Sequence, residues 1–224
     1  MAAPLLSILV PAGPGDRSWL ALWPQLPEAD CVERLLVLAE GDAAAPQPKA
    51  AKVLHAPAGR ARQLNAGLAA ASGNVVWMLH ADSRLSSDTV ASALEAASLL
   101  HRSGARALGW FPLAFHDGPP QMALNALGAN LRSQLFGMPY GDQGLLAPRQ
   151  VLADLGGFDE TLGRGEDHAL VWQAHRAGLT LMRLRGCVST SARRYVERGW
   201  WRTSAEHLRL SWQQRRVFSR ASTP

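Results

Sequence analysis

Cysteine and lysine are scarce in this chain, and no long hydrophobic run interrupts it. Of its 224 residues only Cys31 and Cys187 carry thiols. They stand far apart without paired-ligand spacing, so neither a disulfide framework nor a zinc site is indicated. A cytosolic setting is the expectation. No apolar stretch approaches the roughly 20 residues of a membrane-spanning helix. The opening MAAPLLSILVPAGPG has no basic leader and Pro11 cuts its apolar run. It reads as a first strand entering a loop rather than a signal peptide. Repeats and linkers are missing as well, which points to one domain over residues 1–200 followed by a basic tail, 201–224.

What is present is an ordinary globular composition, 47% hydrophobic and 18% charged, in a chain long enough to bury a real core. The net charge of +5 is uneven. Ten Arg and two acids (Glu197 and Glu206) fall between Arg183 and Arg220, a local net of +8 that leaves −3 for the remainder. A basic tail beside a mildly acidic body suits an anionic partner: a phosphate ligand, a lipid surface or nucleic acid. Lys49 and Lys52 are the only lysines. Codon bias also produces such a preference for Arg, so only the asymmetry carries weight.

Strand-like and helix-like periods alternate along the chain. Leu5–Val10, Arg34–Leu38, Lys52–His55 and Val75–Leu79 read as strands. Arg17–Leu26 reads as a short helix, and Arg60–Ser72 as a longer one with Leu64, Leu68 and Ala71 on one stripe and Gly73 as its stop. Ser87 caps a helix over Asp88–Arg102, Ala107–Phe115 is a strand, and Pro120–Phe136 is a helix ended by Gly137. A short strand Leu145–Ala147, a helix opened by Pro148, a helix Glu166–Ala177 and a strand Thr180–Leu184 complete the series. Such alternation predicts an α/β fold with a mostly parallel, Rossmann-like sheet flanked by helices.

The stretch Asn74–Arg84, NVVWMLHADSR, stands out. A short apolar run reads as a strand buried on both faces, and it ends abruptly in His80-Ala-Asp82. Ligands in open parallel sheets bind beyond the carboxyl ends of the strands, so Asp82 is the candidate centre of a site; as a bare strand-end acid it is equally a helix or turn cap. Residues two apart on an extended chain share a face, which lets His80 and Asp82 approach one ion together. A carboxylate with phosphate oxygens suits Mg²⁺ or Mn²⁺, and an imidazole tilts the choice toward Mn²⁺. The other reading of His80 is a hydrogen-bonded structural histidine. Further on, Leu155-Gly-Gly-Phe-Asp-Glu160 precedes Gly165-Glu166-Asp167-His168 at a helix start.

Four pieces in order, the strand and loop at Leu5–Pro11, then GRARQLNAGLAAASGNVVWMLHADS, GDQGLLAPRQVLADLGGFDE and GEDHAL, resemble the family-two glycosyltransferases of the GT-A fold. The later TSARRYVERGW is similar to a bacterial branch of that family, in which His also occurs in the strand-end motif. The resemblance covers roughly Leu5 to Trp200. It implies an inverting transfer of a sugar from a nucleoside-diphosphate donor to an acceptor hydroxyl, with Mn²⁺ or Mg²⁺ on the diphosphate. Asp82, with His80 beside it, would hold the ion, and Asp167 of the Glu166-Asp167 pair would be the general base. The helix N-terminus favours an ionised Asp167 and neighbouring Glu166 opposes it. Arg60, Gln63 and Asn65 fall in the segment near the nucleotide, with Pro11 and Ala81 at the strand ends. Asp142 and Gln143 match the loop that lines the sugar and acceptor pocket. Ser191, Arg193 and Arg194 would close over the diphosphate, whose oxygens suit guanidinium forks.

Two positions depart from the family pattern. The expected Asn-Glu after the first strand is Pro11-Ala here, and the Asp that usually ends the second strand has only Glu40 and Asp42 as substitutes. Both gaps fall on nucleotide recognition. In the tail, Trp201, Ala205, Leu208 and Trp212 make one stripe at helical spacing, with Arg202, Arg209 and Arg216 around it. That pattern fits either a core-packing helix or peripheral contact with an anionic membrane, the latter consistent with a lipid-linked acceptor. Nucleic acid is not expected, since no nucleic-acid-binding motif accompanies the charge. The alternatives are a nucleotidyltransferase, against which the missing Gly-rich phosphate loop counts, and a non-catalytic membrane- or partner-binding module on the same fold.

Overall fold

A computed structural model describes residues 3–42, 48, 51–204 and 209. Seven strands form the central sheet: β1 (Leu6–Ala12), β2 (Val32–Ala39), β3 (Lys52–Ala56), β4 (Val75–Met78), β6 (Ala107–Trp110), β8 (Leu146–Pro148) and β9 (Thr180–Arg183). Their order is β3-β2-β1-β4-β8-β6-β9. β8 runs antiparallel to β4 and β6 and the other pairs are parallel. Every residue of β1 and β4 is buried, which is why both read as unbroken apolar runs. Two apolar clusters, one containing Ile8 and Trp77 and the other Leu9 and Val76, fill the core on alternate side chains of these strands.

The helices are α1 (Trp19–Leu22), α2 (Arg60–Ala70), α3 (Ser87–Ser103), α4 (Met122–Phe136), α5 (Arg149–Asp154), α6 (Glu166–Arg176) and α7 (Arg193–Arg198). Ser86, not Ser87, caps α3: its hydroxyl accepts from Thr89 N–H at 3.2 Å. The helix expected over Arg17–Leu26 is one turn of α1 continued by a 3₁₀ turn, Trp23–Gln25, that contains Pro24. A second sheet, β5 (Arg84–Leu85), β10 (Val188–Thr190) and β7 (Leu113–Phe115), was not expected. The single strand expected over Ala107–Phe115 is therefore two. Phe111 and Pro112 break it, so that its first half joins the large sheet and its second half the small one.

Polar side chains brace this frame. Gln63 is buried, and its amide donates to Ala12 O at 2.6 Å and Val37 O at 2.8 Å, tying α2 to the ends of β1 and β2. Asn65 donates to Phe158 O and to Glu160 Oε1, both at 2.8 Å, and accepts from Phe158 N–H at 2.9 Å. Asn65→Ala removes all three bonds and should cost about 2–3 kcal/mol. Thermal unfolding should register this as a fall of about 5–10 °C.

Candidate active site

At β1 and β4 the strand order reverses, and a cleft of about 1250 Å³ opens beyond their carboxyl ends. Pro11, Gly13, Asp16, Ala81 and Asp82 line its floor. Gly59 and Arg60, at the start of α2, form one wall. Gly59 caps α2 with φ 136° and without a side-chain cap, so the first N–H groups of that helix are left for a ligand near the cleft. Ser191, Arg193, Arg194 and Tyr195 form a second wall, and Arg132, Tyr140, His168 and Trp172 close the far end.

Asp82 is half-buried and accepts a hydrogen bond from Thr190 Oγ1 at 3.2 Å. The small sheet thereby sets the orientation of the strand-end carboxylate. Among the described residues no three His, Cys, Asp or Glu side chains converge as a ready-made metal cage. One carboxylate on a cleft floor nevertheless fits a hard divalent ion that takes its remaining ligands from water and substrate phosphate.

His80 does not fit as a second ligand. Its Nδ1 faces Arg60 Nη1 at 3.3 Å, and a guanidinium can only donate, so Nδ1 accepts and Nε2 carries the proton. Nε2 is buried without a partner. Burial first, then Arg60 and Arg194, hold the ring well below the ordinary imidazole range, and it stays neutral. The structural reading of His80 is the better one.

Arg60 joins several groups. Its Nε lies 3.2 Å from Glu166 Oε1, within ion-pair range but out of line for a hydrogen bond. Burial, then Asp167, raise the Glu166 carboxyl above its ordinary range, and Arg60 partly offsets them. Glu166 therefore holds Arg60 from behind, outside the cleft lining. Asp167 accepts Gly141 N–H at 2.6 Å and its neighbour's His168 N–H at 2.8 Å. A Cβ on Gly141 would run into the side-chain ends of Arg60 and Asp167 and crowd His80, so a larger residue there would displace these groups.

Asp142 borders the cleft beside this cluster, and its Oδ1 is buried without a partner. Burial raises its pKa from 3.8 to about 6, with Asp167 and Asp82 adding to the effect and Arg132 and Arg60 opposing it. A carboxyl whose folded pKa is raised gives stability that is complete below its unfolded value and is lost as pH rises through about 6. Asp142→Asn should therefore raise Tm at pH 7–8, by at most about 3 kcal/mol of stability, and leave it unchanged near pH 4. Melting curves of both proteins across that range, without divalent ions, provide the check.

Other expected contacts lie elsewhere. Asn65 braces the loop before α6, and Gln143 is fully buried, its Oε1 accepting from Ser133 Oγ at 2.7 Å and Tyr140 N–H at 3.1 Å. Gln63 borders the cleft, but its amide is engaged by backbone carbonyls. Glu40 is exposed where β2 ends, and Asp42 pairs with Arg17 at 3.0 Å and accepts from Gly15 N–H. The structure thus does not bring Glu40, Asp42, Asn65 or Gln143 into the cleft, and Asp167 lies behind Gly141 rather than in the cleft lining. Asp16, from the loop after β1, is the acid that lines it there.

Sequence reasoning also missed Arg132. Its guanidinium lies 3.5 Å from the Tyr140 ring centre and donates to Met138 O at 2.8 Å. The available signal was its isolation, as the only charged residue between Asp117 and Asp142.

No protein-family model and no curated protein matches the chain. Solved structures do. S. aureus TarS 1–349 superposes with a TM-score of 0.61 at 15% identity, over 83% of this chain and 60% of that one. The same protein with UDP-GlcNAc gives 0.61 at 16%, over 83% and 58%. The mannosyltransferase PcManGT from Pyrobaculum calidifontis, in complex with GDP-Man and Mn²⁺, gives 0.56 at 18%, over 82% and 55%. This chain has their fold. The GT-A type expected from the motifs is borne out at that level, and the chain spans about 60% of TarS 1–349.

Proposed function

We propose that this chain is an inverting glycosyltransferase that uses a nucleoside-diphosphate sugar and a divalent ion, Mn²⁺ or Mg²⁺. The observation that carries the reading is the convergence of Asp82, Arg60, Arg193 and Arg194 on one cleft at the switch point of the sheet. Neighbours of the same fold were solved with UDP-GlcNAc and with GDP-Man and Mn²⁺. A divalent ion held by Asp82 would offset charge on the leaving diphosphate. Arg193 and Arg194 supply guanidinium donors to the same oxygens. Asp117 fixes the turn that presents them: it accepts from Ser191 Oγ at 2.7 Å and from Ala192 N–H. Burial would raise the Asp117 carboxyl, but these bonds outweigh it and hold the group below its ordinary range.

Asp167 is the proposed base. It takes the proton of the acceptor hydroxyl as that oxygen attacks the anomeric carbon, and the bond to the diphosphate breaks with its electron pair on the leaving oxygen. Asp142, with an unsatisfied buried oxygen, accepts a hydroxyl of the sugar or acceptor. One observation favours a second assignment. Both oxygens of Asp167 already accept backbone N–H groups, whereas Asp142 has a raised pKa and borders the cleft. Asp142 as the base is the alternative.

A panel of UDP- and GDP-sugars incubated with the protein and Mn²⁺ tests the reaction class. Release of UDP or GDP that depends on the protein and the ion is the expected outcome. Pyrophosphate release from a nucleoside triphosphate would point to nucleotidyl transfer instead. The acceptor we propose is lipid-linked, in keeping with the apolar border of the cleft at Leu124 and Phe136.

A further inference from the structure

Helix α4 is built inside out. Met122 and Ser133 are its only buried residues, while Leu124, Leu127, Leu131, Leu135 and Phe136 are 46–67% exposed. Polar side chains do the inward packing. Asn130 accepts from Leu113 N–H at 2.7 Å and donates to Leu113 O at 3.0 Å, Ser133 bonds Gln143, and Arg132 bonds Met138. The four leucines recur at intervals of three, four and four residues, which places them on one face of the helix. At 1.5 Å per residue they form a ridge about 16 Å long. Contiguous apolar surface of this size marks a contact site rather than ordinary exposure.

The surroundings of the ridge are basic. Trp200 Nε1 donates to Asn125 Oδ1 at 2.7 Å, and Asn125 Nδ2 donates to Ser204 Oγ at 3.1 Å, so residues 200–204 lie against α4. Trp201 is 80% exposed there, and Val196 on α7 is 65% exposed. Beyond Arg193 and Arg194, which line the cleft, residues 195–204 carry Arg198 and Arg202 against one acid, Glu197, and no acid lies between Asp117 and Asp142. Leu124 and Phe136 also line the cleft, so this face borders its mouth.

We propose that the outer face of α4, together with α7 and residues 200–204, docks onto an anionic lipid bilayer. The leucines, Val196 and Trp201 enter the headgroup boundary, and Arg198 and Arg202, outside the cleft lining, meet lipid phosphates. A second copy fits less well, because a two-fold contact through this face would set the same arginines against one another. No helix among the described residues is long and apolar enough to cross a membrane, so the contact is a surface one. It rests on α4 rather than on the tail stripe, whose Ala205, Leu208 and Trp212 lie outside the described residues. It does not depend on the transfer reaction and stands whatever chemistry the cleft performs.

The test is co-sedimentation of the full chain with vesicles of phosphatidylcholine alone or mixed with phosphatidylglycerol. The wild-type protein should bind the mixed vesicles. The triple variant L127Q/L131Q/L135Q should bind them at least about tenfold more weakly, with an unchanged circular dichroism spectrum and Tm. Three results would overturn the proposal. One is no binding to the mixed vesicles, and another is binding that the leucine replacements leave intact. The third is a lower Tm in the variant, or a dimer in light scattering that the variant abolishes, since either shows the leucines already covered by protein.

Discussion

Asp167→Asn should lower turnover by about 10²- to 10⁴-fold, the range expected when a positioned general base is removed. The replacement keeps the shape of the side chain and can still accept from Gly141 N–H, the 2.6 Å bond that joins α6 to the loop carrying Asp142. Its amide nitrogen then faces His168 N–H, so one backbone bond is lost and stability should fall by about 1–2 kcal/mol, while the loss of activity should fall on kcat rather than KM. Asp142→Asn separates the two carboxylates. With Asp167 as the base, this variant should lose about tenfold. A larger loss in Asp142→Asn than in Asp167→Asn would transfer the role to Asp142.

Asp82→Ala is the second large effect. Asp82 is the one acid of the strand-end motif, and the neighbouring His80 turns its acceptor nitrogen to Arg60. The floor of the cleft then has no replacement ligand in that motif. Transfer should drop by about three orders of magnitude, of the size seen when a principal electrostatic stabiliser of a transition state is removed. Its contact with Thr190 is a single 3.2 Å hydrogen bond, so the fold should survive, which circular dichroism and thermal unfolding would show.

Much of the fold was legible in the sequence because β1, β2 and β4 are buried on both faces and helices α3 and α6 carry ordinary charge and stop signals. The small sheet was not legible. β5 has two residues and β10 three, too few for a period to declare itself, and the Phe111-Pro112 break lies inside what reads as one apolar run. The orientation of α4 was hidden for a different reason. A leucine stripe marks one face of a helix but not whether that face turns inward, and here tertiary hydrogen bonds from Asn130 and Ser133 decide it.

The candidate site was legible where residues follow a strand or open a helix, as Asp82, Arg60 and the Arg193–Arg194 pair do. It was misread where a buried amide looks like a ligand contact. Asn65 and Gln143 lie in the right segments but outside the cleft, and Gln63 borders it, yet all three amides satisfy backbone groups that burial would otherwise leave unpaired. His80 illustrates the same limit. Its spacing from Asp82 permits shared coordination, and only the position of Arg60 shows which nitrogen carries the proton.

The central claim, that Asp82 and the arginines of one cleft bind a nucleoside diphosphate through a divalent ion, is open to a direct measurement. Thermal unfolding of the wild type and Asp82→Ala would be followed with UDP or GDP, each with Mn²⁺ or with chelator. At a ligand concentration about 100 times Kd, wild type should gain about 2.7 kcal/mol, roughly 5–10 °C in Tm, with Mn²⁺ present. The gain should vanish with chelator and in Asp82→Ala. No shift with either nucleotide, or an equal shift in Asp82→Ala, would contradict it.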